Sequence, residues 1–223
     1  QIEAGGDIII RKGCQGKGLG KIIAGKSIVG QFFESAVLTA GKDVQATYLL
    51  NCQLKANGKL LVEGRKGVII GGKTCAKLGV SCNGIGNIAE IATVVSVGID
   101  KEDMTAYQEL QKKIEQTQAE LQTCENGLNK LMANPVHDEK VSMMIQRLTR
   151  AVYTLKSSRK ELFSERNAQM EQMTKQKEAR IQVSGRAYPG TLLFLNEDPF
   201  AIKEIYNNVE FVKHDNRIDT LAH

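Results

Sequence analysis

One short phrase recurs through residues 4 to 75: a small residue, Gly, a basic residue or Gly, a turn former, then an apolar residue. It reads Ala4-Gly5-Gly6-Asp7-Ile8, Ala24-Gly25-Lys26-Ser27-Ile28, Ala40-Gly41-Lys42-Asp43-Val44, a looser Asn57-Gly58-Lys59-Leu60-Leu61, and Gly71-Gly72-Lys73-Thr74-Cys75. Its key glycines fall 20, 16, 17 and 14 residues apart. A repeat of this period predicts a solenoid. Each unit turns a corner at Gly, where positive φ costs little, and then runs a short strand.

Apolar residues also recur every sixth position: Phe32, Leu38, Val44, Leu50, Ala56, Val62 and Val68, with Val80 in the same phase. Three such steps span about 18 residues, near one turn of a three-sided parallel β-helix whose strands point alternate side chains into a narrow core. The tracts Ile8-Ile9-Ile10, Tyr48-Leu49-Leu50, Leu60-Leu61-Val62 and Val68-Ile69-Ile70 suit strands of that size. The spacing is too loose for a strict left-handed hexapeptide coil, which favours a right-handed one.

At Asp100 the pattern changes. Positions 107, 110, 114, 117, 121, 124, 128 and 131 are Tyr, Leu, Ile, Thr, Leu, Cys, Leu and Leu, a heptad seam among Lys, Glu and Gln. Asn134-Pro135 breaks this helix, and a second follows with Val141, Ile145, Leu148, Val152, Leu155 and Leu162 on one side. Two helices joined by a short turn lie antiparallel. The expected fold is therefore mixed: a single-stranded parallel β-helix with an inserted long antiparallel α-helical coiled-coil hairpin. Residues 1–99 form the β-helix body, 100–181 the hairpin, and 182–223 a C-terminal β segment that packs back on the body, being too short for a core of its own.

No apolar run reaches the roughly 18 residues that span a bilayer, so no membrane span is expected. The chain starts inside the repeat with no signal peptide, which points to an upstream region outside this sequence. Cysteines 14, 52, 75, 82 and 124 form no CxxC and have no His nearby. That argues for buried thiols in a reducing compartment rather than for disulfides or zinc. Residues 1–99 hold 12 Lys/Arg against 6 Asp/Glu. Lysines at solvated corners explain that excess as well as an anionic partner does.

Two stretches match GxxxxGK[ST], Gly20 to Ser27 and Gly67 to Thr74. A phosphate loop needs a helix beginning at its Lys, yet Ser27 is followed by a strand-like Ile28-Val29 and a Gly. Repetition of the corner phrase accounts for both. Cys14-Gln-Gly16-Lys-Gly18-Leu-Gly20-Lys21 also looks like a phosphate loop and reads as a hinge in a longer first rung. The glycine-rich Asn83-Gly84-Ile85-Gly86-Asn87 reads as a corner. His137, His214 and His223 have no Cys, Ser or carboxylate at a diagnostic spacing. No catalytic residue, cofactor or metal is assigned. The candidate partner-binding residues are Phe33, read as surface-facing beside an inward Phe32, and Met132, Asn134 and His137 at the helical turn.

A Gly-Lys β-helix, a spliced-in coiled coil and a return through Gly185-Arg-Ala-Tyr-Pro-Gly190-Thr-Leu-Leu resemble the bacterial flagellar assembly protein A (FapA) family. The likeness is carried by Ile2 to Asp7, Ala40 to Ala46, Leu61-Val-Glu-Gly64, Gly71-Gly72-Lys73 and Ala76-Lys-Leu-Gly79. It implies a cytoplasmic, non-enzymatic part in flagellar assembly or polar organisation, and no catalytic residues carry over. The expected role is a scaffold or adaptor that binds proteins through the coiled coil and the β-helix surface. Open rung edges invite end-to-end stacking of copies. The alternative is a β-helix enzyme or anion-binding module acting on carbohydrate or nucleotide. A thin aromatic complement argues against nucleic acid.

Overall fold

Short parallel strands stacked one above the next make the body of the protein. The computed structural model describes residues 1–133, 138–215 and 217–222. It divides into two units, residues 1–100 with 173–223, and residues 101–172. The first unit contains β1 Ile2–Ala4, β2 Ile8–Ala24, β3 Ile28–Ala40, β4 Val44–Ala46, β5 Tyr48–Ala56, β6 Leu60–Val62, β7 Val68–Ala76, β8 Val80–Ile85 and β9 Thr93–Val97. After the insertion come β10 Ile181–Ala187 and β11 Thr191–Leu195, which pair in parallel with β8 and β9. The stack is a β-solenoid of about five turns.

A column of small residues counts those turns. Ala4 lies beside Ala24, Ala24 beside Ala40, Ala40 beside Ala56, Ala56 beside Ala76, and Ala76 beside Val97. Successive turns are thus 20, 16, 16, 20 and 21 residues long. This register corrects the last two units of the phrase. Ala56, not Asn57, holds the alanine place, so Gly58 stands over Lys42 and its N–H donates to the Lys42 carbonyl at 2.9 Å. Gly72 lies beside Cys52 inside a strand ladder, and the true corner is Ala76-Lys77-Leu78-Gly79-Val80. Gly-Lys pairs recur at more than one bend, which misled the spacing.

The reason for glycine at the first corner also differs from the expected one. Gly25, Gly41 and Gly58 do not have positive φ. A Cβ on Gly25 or Gly41 would instead run into the carbonyl oxygen of the glycine one turn below, Gly5 or Gly25. Close stacking, not backbone freedom, selects them. Asp7 and Asp43 fasten the same corner: their Oδ1 atoms accept from the Ser27 and Lys59 N–H groups at 2.8 and 2.7 Å. At this corner only the upper Gly79 has positive φ among these glycines, and other left-handed bends lie elsewhere in the coil, among them Ser35, Asn51 and Gly71 (φ 47°, 49° and 69°).

Inside the coil, the columns Ile28–Val44–Leu60–Val80–Ile181 and Phe33–Leu49–Ile69–Ile85–Ala187 are buried. The six-residue phase holds for Leu38, Val44, Ala56, Val62 and Val80 but slips by one on the second column. Phe32 is exposed and Leu50 and Val68 are only half-buried. The last turn is closed by antiparallel strands β12 Asp198–Ala201, β13 Tyr206–His214 and β14 Arg217–Ala222. Phe200, Tyr206 and Phe211 pack together at this end, Tyr206 edge-on to both phenylalanines, with ring centroids 5.5 to 6.3 Å apart, and Lys213 pairs with Asp198.

The second unit is helical. α1 spans Lys101–Met132, and α2 spans Glu139–Lys177, whose last turn belongs to the first unit. Asp138 caps α2 by accepting from the Val141 N–H at 2.8 Å. Leu110, Ile114, Leu121 and Val152 are buried on the apolar seam. Arg159 donates to Gln118 at 2.8 Å, Lys156 pairs with Glu125 at 2.9 Å, and Gln169 donates to the Asp103 carbonyl at 3.5 Å. Partner numbers fall along α1 as they rise along α2.

Candidate interaction surfaces

The corner that carries Asp7, Ser27 and Asp43 continues upward through Lys59, Gly79 and Arg180. Leu60 N–H donates to the Gly79 carbonyl and Val80 N–H to the Arg180 carbonyl, each at 3.0 Å. Two cations therefore flank a residue with no side chain. Gly79 is obligatory there: its φ is +120°, and a Cβ would lie 2.9 Å from the Arg180 oxygen. The missing side chain opens a groove of about 530 Å³, lined by Lys59, Leu61, Leu78, Ser81, Arg180 and Gln182 together with Lys175 and Glu178. Arg180 also pairs with the buried Glu210 carboxylate at 3.1 Å, and Gln182 donates to the same oxygen at 3.1 Å. That ties the groove wall to β13.

A second candidate lies where α1 ends and α2 begins. Met132 is 62% exposed, Met143 51% and Met144 56%. Met132 ends α1, and Met143 and Met144 lie near the start of α2; all three are unbranched and polarisable, the side-chain type that adapts to varied contacts. Asn134 and His137, expected to share this site, lie outside the described residues, as do Pro135, Asn216 and His223. Met143 and Met144 were not singled out from sequence. Their signal was a methionine pair off the Val141–Ile145–Leu148 seam.

Phe33 is not a surface residue. It is fully buried between Cys14 and Leu49, and its ring covers Gly30 where a Cβ would stand. Phe32 points the other way, lies against Gly13 and is 38% exposed. A bend between β3's two halves reverses the alternation that the six-residue count assumed.

The remaining motifs resolve into structure. Ser27 sits at the corner between β2 and β3, and buried Thr74 lies within β7, so neither heads a helix. Asn83 is a clasp: its Nδ2 donates to the Gly64 carbonyl at 2.8 Å and its Oδ1 accepts from Ser184 at 3.1 Å. Burial pushes the Cys82 thiol up to about 12 and raises that of Cys52 as well. Among the described residues, no three His, Cys, Asp or Glu side chains are grouped to hold a metal ion, and no helix is long and apolar enough to cross a membrane.

No curated protein and no solved structure matches the chain. A family model does, the flagellar assembly protein A beta solenoid domain, over residues 1–218. With the stacked ladders and the paired helices inserted between β9 and β10, that match over nearly the whole chain assigns the protein to the FapA family.

Proposed function

We propose that this protein is a non-enzymatic cytoplasmic scaffold or adaptor in flagellar assembly. Its solenoid winds right-handed, and its helices form an antiparallel coiled-coil hairpin that offers its turn end to a protein partner. The observation that carries this reading is the exposure of Met132, Met143 and Met144 at that end. Exposed apolar side chains brought together on one surface gain when a partner covers them. Support for the coiled coil comes from the buried heptad positions Leu110, Ile114 and Leu121 and from the cross-helix pairs of Arg159 with Gln118 and Lys156 with Glu125. Support for the assembly role comes from the family.

The test is complementation in a flagellated strain lacking its own family member. Replacing Met132, Met143 and Met144 by Ser together should abolish rescue of motility while the purified variant keeps wild-type circular dichroism. Full rescue by the triple variant would overturn the assignment of the tip.

A further inference from the structure

The groove above Gly79 has a chemistry that the adaptor reading leaves unused. We infer that it is a docking site for an extended acidic peptide segment of a protein partner, with carboxylates set between Lys59 and Arg180 and apolar side chains on Leu61 and Leu78. Three features carry this.

Lys59 and Arg180 occupy one corner column two turns apart, with Gly79 between them. Neighbouring strands of a sheet lie roughly 4.8 Å apart, so these two backbone positions are separated by about 10 Å. A carboxylate over the glycine lies within reach of both cationic side chains. The lining also contains Lys175, from the end of α2, and the acid Glu178, while Glu210 takes one edge of the Arg180 guanidinium.

The flanking surface is apolar. Leu61 and Leu78 are half-exposed beside the notch, so an occupant gains by covering them as well as by neutralising charge. An isolated inorganic anion would leave them in water. Ser81 and Gln182 place a hydroxyl and an amide along the same wall, groups able to bond a peptide backbone.

Size favours a chain segment. A volume near 530 Å³ lies within the roughly 300–1,000 Å³ of pockets that take molecules much larger than one carboxylate. Lys59 is exposed, and Arg180 keeps about half of its side chain in water while its guanidinium is held by Glu210, which suits an open groove with one fixed and one reaching cation that receives a strand of polypeptide.

The occupant's being a protein rests on the adaptor reading, but the two fail separately. Peptide binding is measured on the purified full chain, whereas the tip is scored by motility. The probes are a labelled short alternating Glu-Leu peptide, its Gln-Leu counterpart and inorganic phosphate, followed by fluorescence anisotropy at low and physiological salt. The Glu-Leu peptide should bind, the Gln-Leu peptide at least about tenfold more weakly, and added salt should weaken the first selectively. Lys59→Glu and the milder Lys59→Gln should each lower affinity, the charge reversal by about tenfold, with circular dichroism unchanged. Equal binding of the two peptides, or no effect of both Lys59 variants, would overturn the proposal. So would binding of phosphate with no preference for the acidic peptide, since that would reduce the groove to an anion site.

Discussion

Asn196 ties down Lys177: its Nδ2 donates to the Lys177 carbonyl at 3.1 Å, while its Oδ1 accepts from the Ile99 N–H at 2.9 Å. One side chain thus bridges the strand that leaves for α1 and the segment that returns from α2. Gly98 makes room for it, with φ +89° and its Cβ place filled by the Asn196 amide oxygen. The chain departs and re-enters within the span of a single amide.

Asn196→Leu should therefore cost about 1–3 kcal/mol, because it removes both bonds and leaves two backbone groups to find other partners. Asn196 itself is left-handed (φ 49°), a conformation that Leu adopts at further cost. Hydrogen exchange should show lost protection at Ile99 and at residues 177–179, with the middle turns unaffected. Uniform loss across the solenoid, or no loss, would contradict the clasp.

The two phenylalanines should separate cleanly. Phe33→Ala removes a fully buried ring and should lower stability by about 3–5 kcal/mol. Phe32→Ala, at an exposed site, should cost about 1 kcal/mol or less. Urea unfolding of the two variants decides between this order and its reverse.

Gly58 and Asp43 should be coupled. A Cβ at Gly58 would collide with the Asp43 carboxylate and would also come within 2.8 Å of the Lys42 backbone. Asp43→Ala alone should cost about 1 kcal/mol through the lost bond to Lys59 N–H. In Gly58→Ala the carboxylate is already displaced, so the double variant should be more stable than the sum of the singles implies. Strict additivity would mean that the carboxylate plays no part in selecting glycine.

Cys82 should make an alkaline signature. Burial raises its thiol from 9.0 to about 12, so the folded chain keeps a proton that the unfolded chain loses in that window. Its contribution to stability is therefore full below pH 9.0 and declines as pH rises towards 12. The stability difference between wild type and Cys82→Ala should shrink over that range, and native Cys82 should resist iodoacetamide near neutral pH. A difference that stays constant with pH would contradict the burial effect.

Much of the coil could be read from letters because stacking imposes a repeated demand. Turn after turn places a small residue at the Ala24–Ala40–Ala56–Ala76 column, giving way to Val97 only in the last one, with a corner just after it. What failed did so where one demand has several chemical answers. Lys77 follows Ala76 where Gly25 and Gly41 follow their alanines, so the corner at Ala76 lacks the Ala-Gly pair and carries its glycine two residues later, at Gly79. Ser35 and Asn51 make left-handed bends that a search for glycine passes over. Phe33 changed sides because a bend consumed one residue of alternation, which no period reports. The groove was invisible for another reason. Lys59 and Arg180 are remote in sequence and meet only because β10 returns onto β8, and the clasp at Asn196 depends on the same return.

The most direct test removes the helices. Because Asn196 touches both Ile99 and Lys177, a short Gly-Ser linker can replace Lys101–Gln172 without stretching the body. The shortened protein should keep a β-type circular dichroism spectrum and a cooperative melt while failing to restore motility to a strain lacking its family member. Restored motility from the body alone would contradict the role given to the helices.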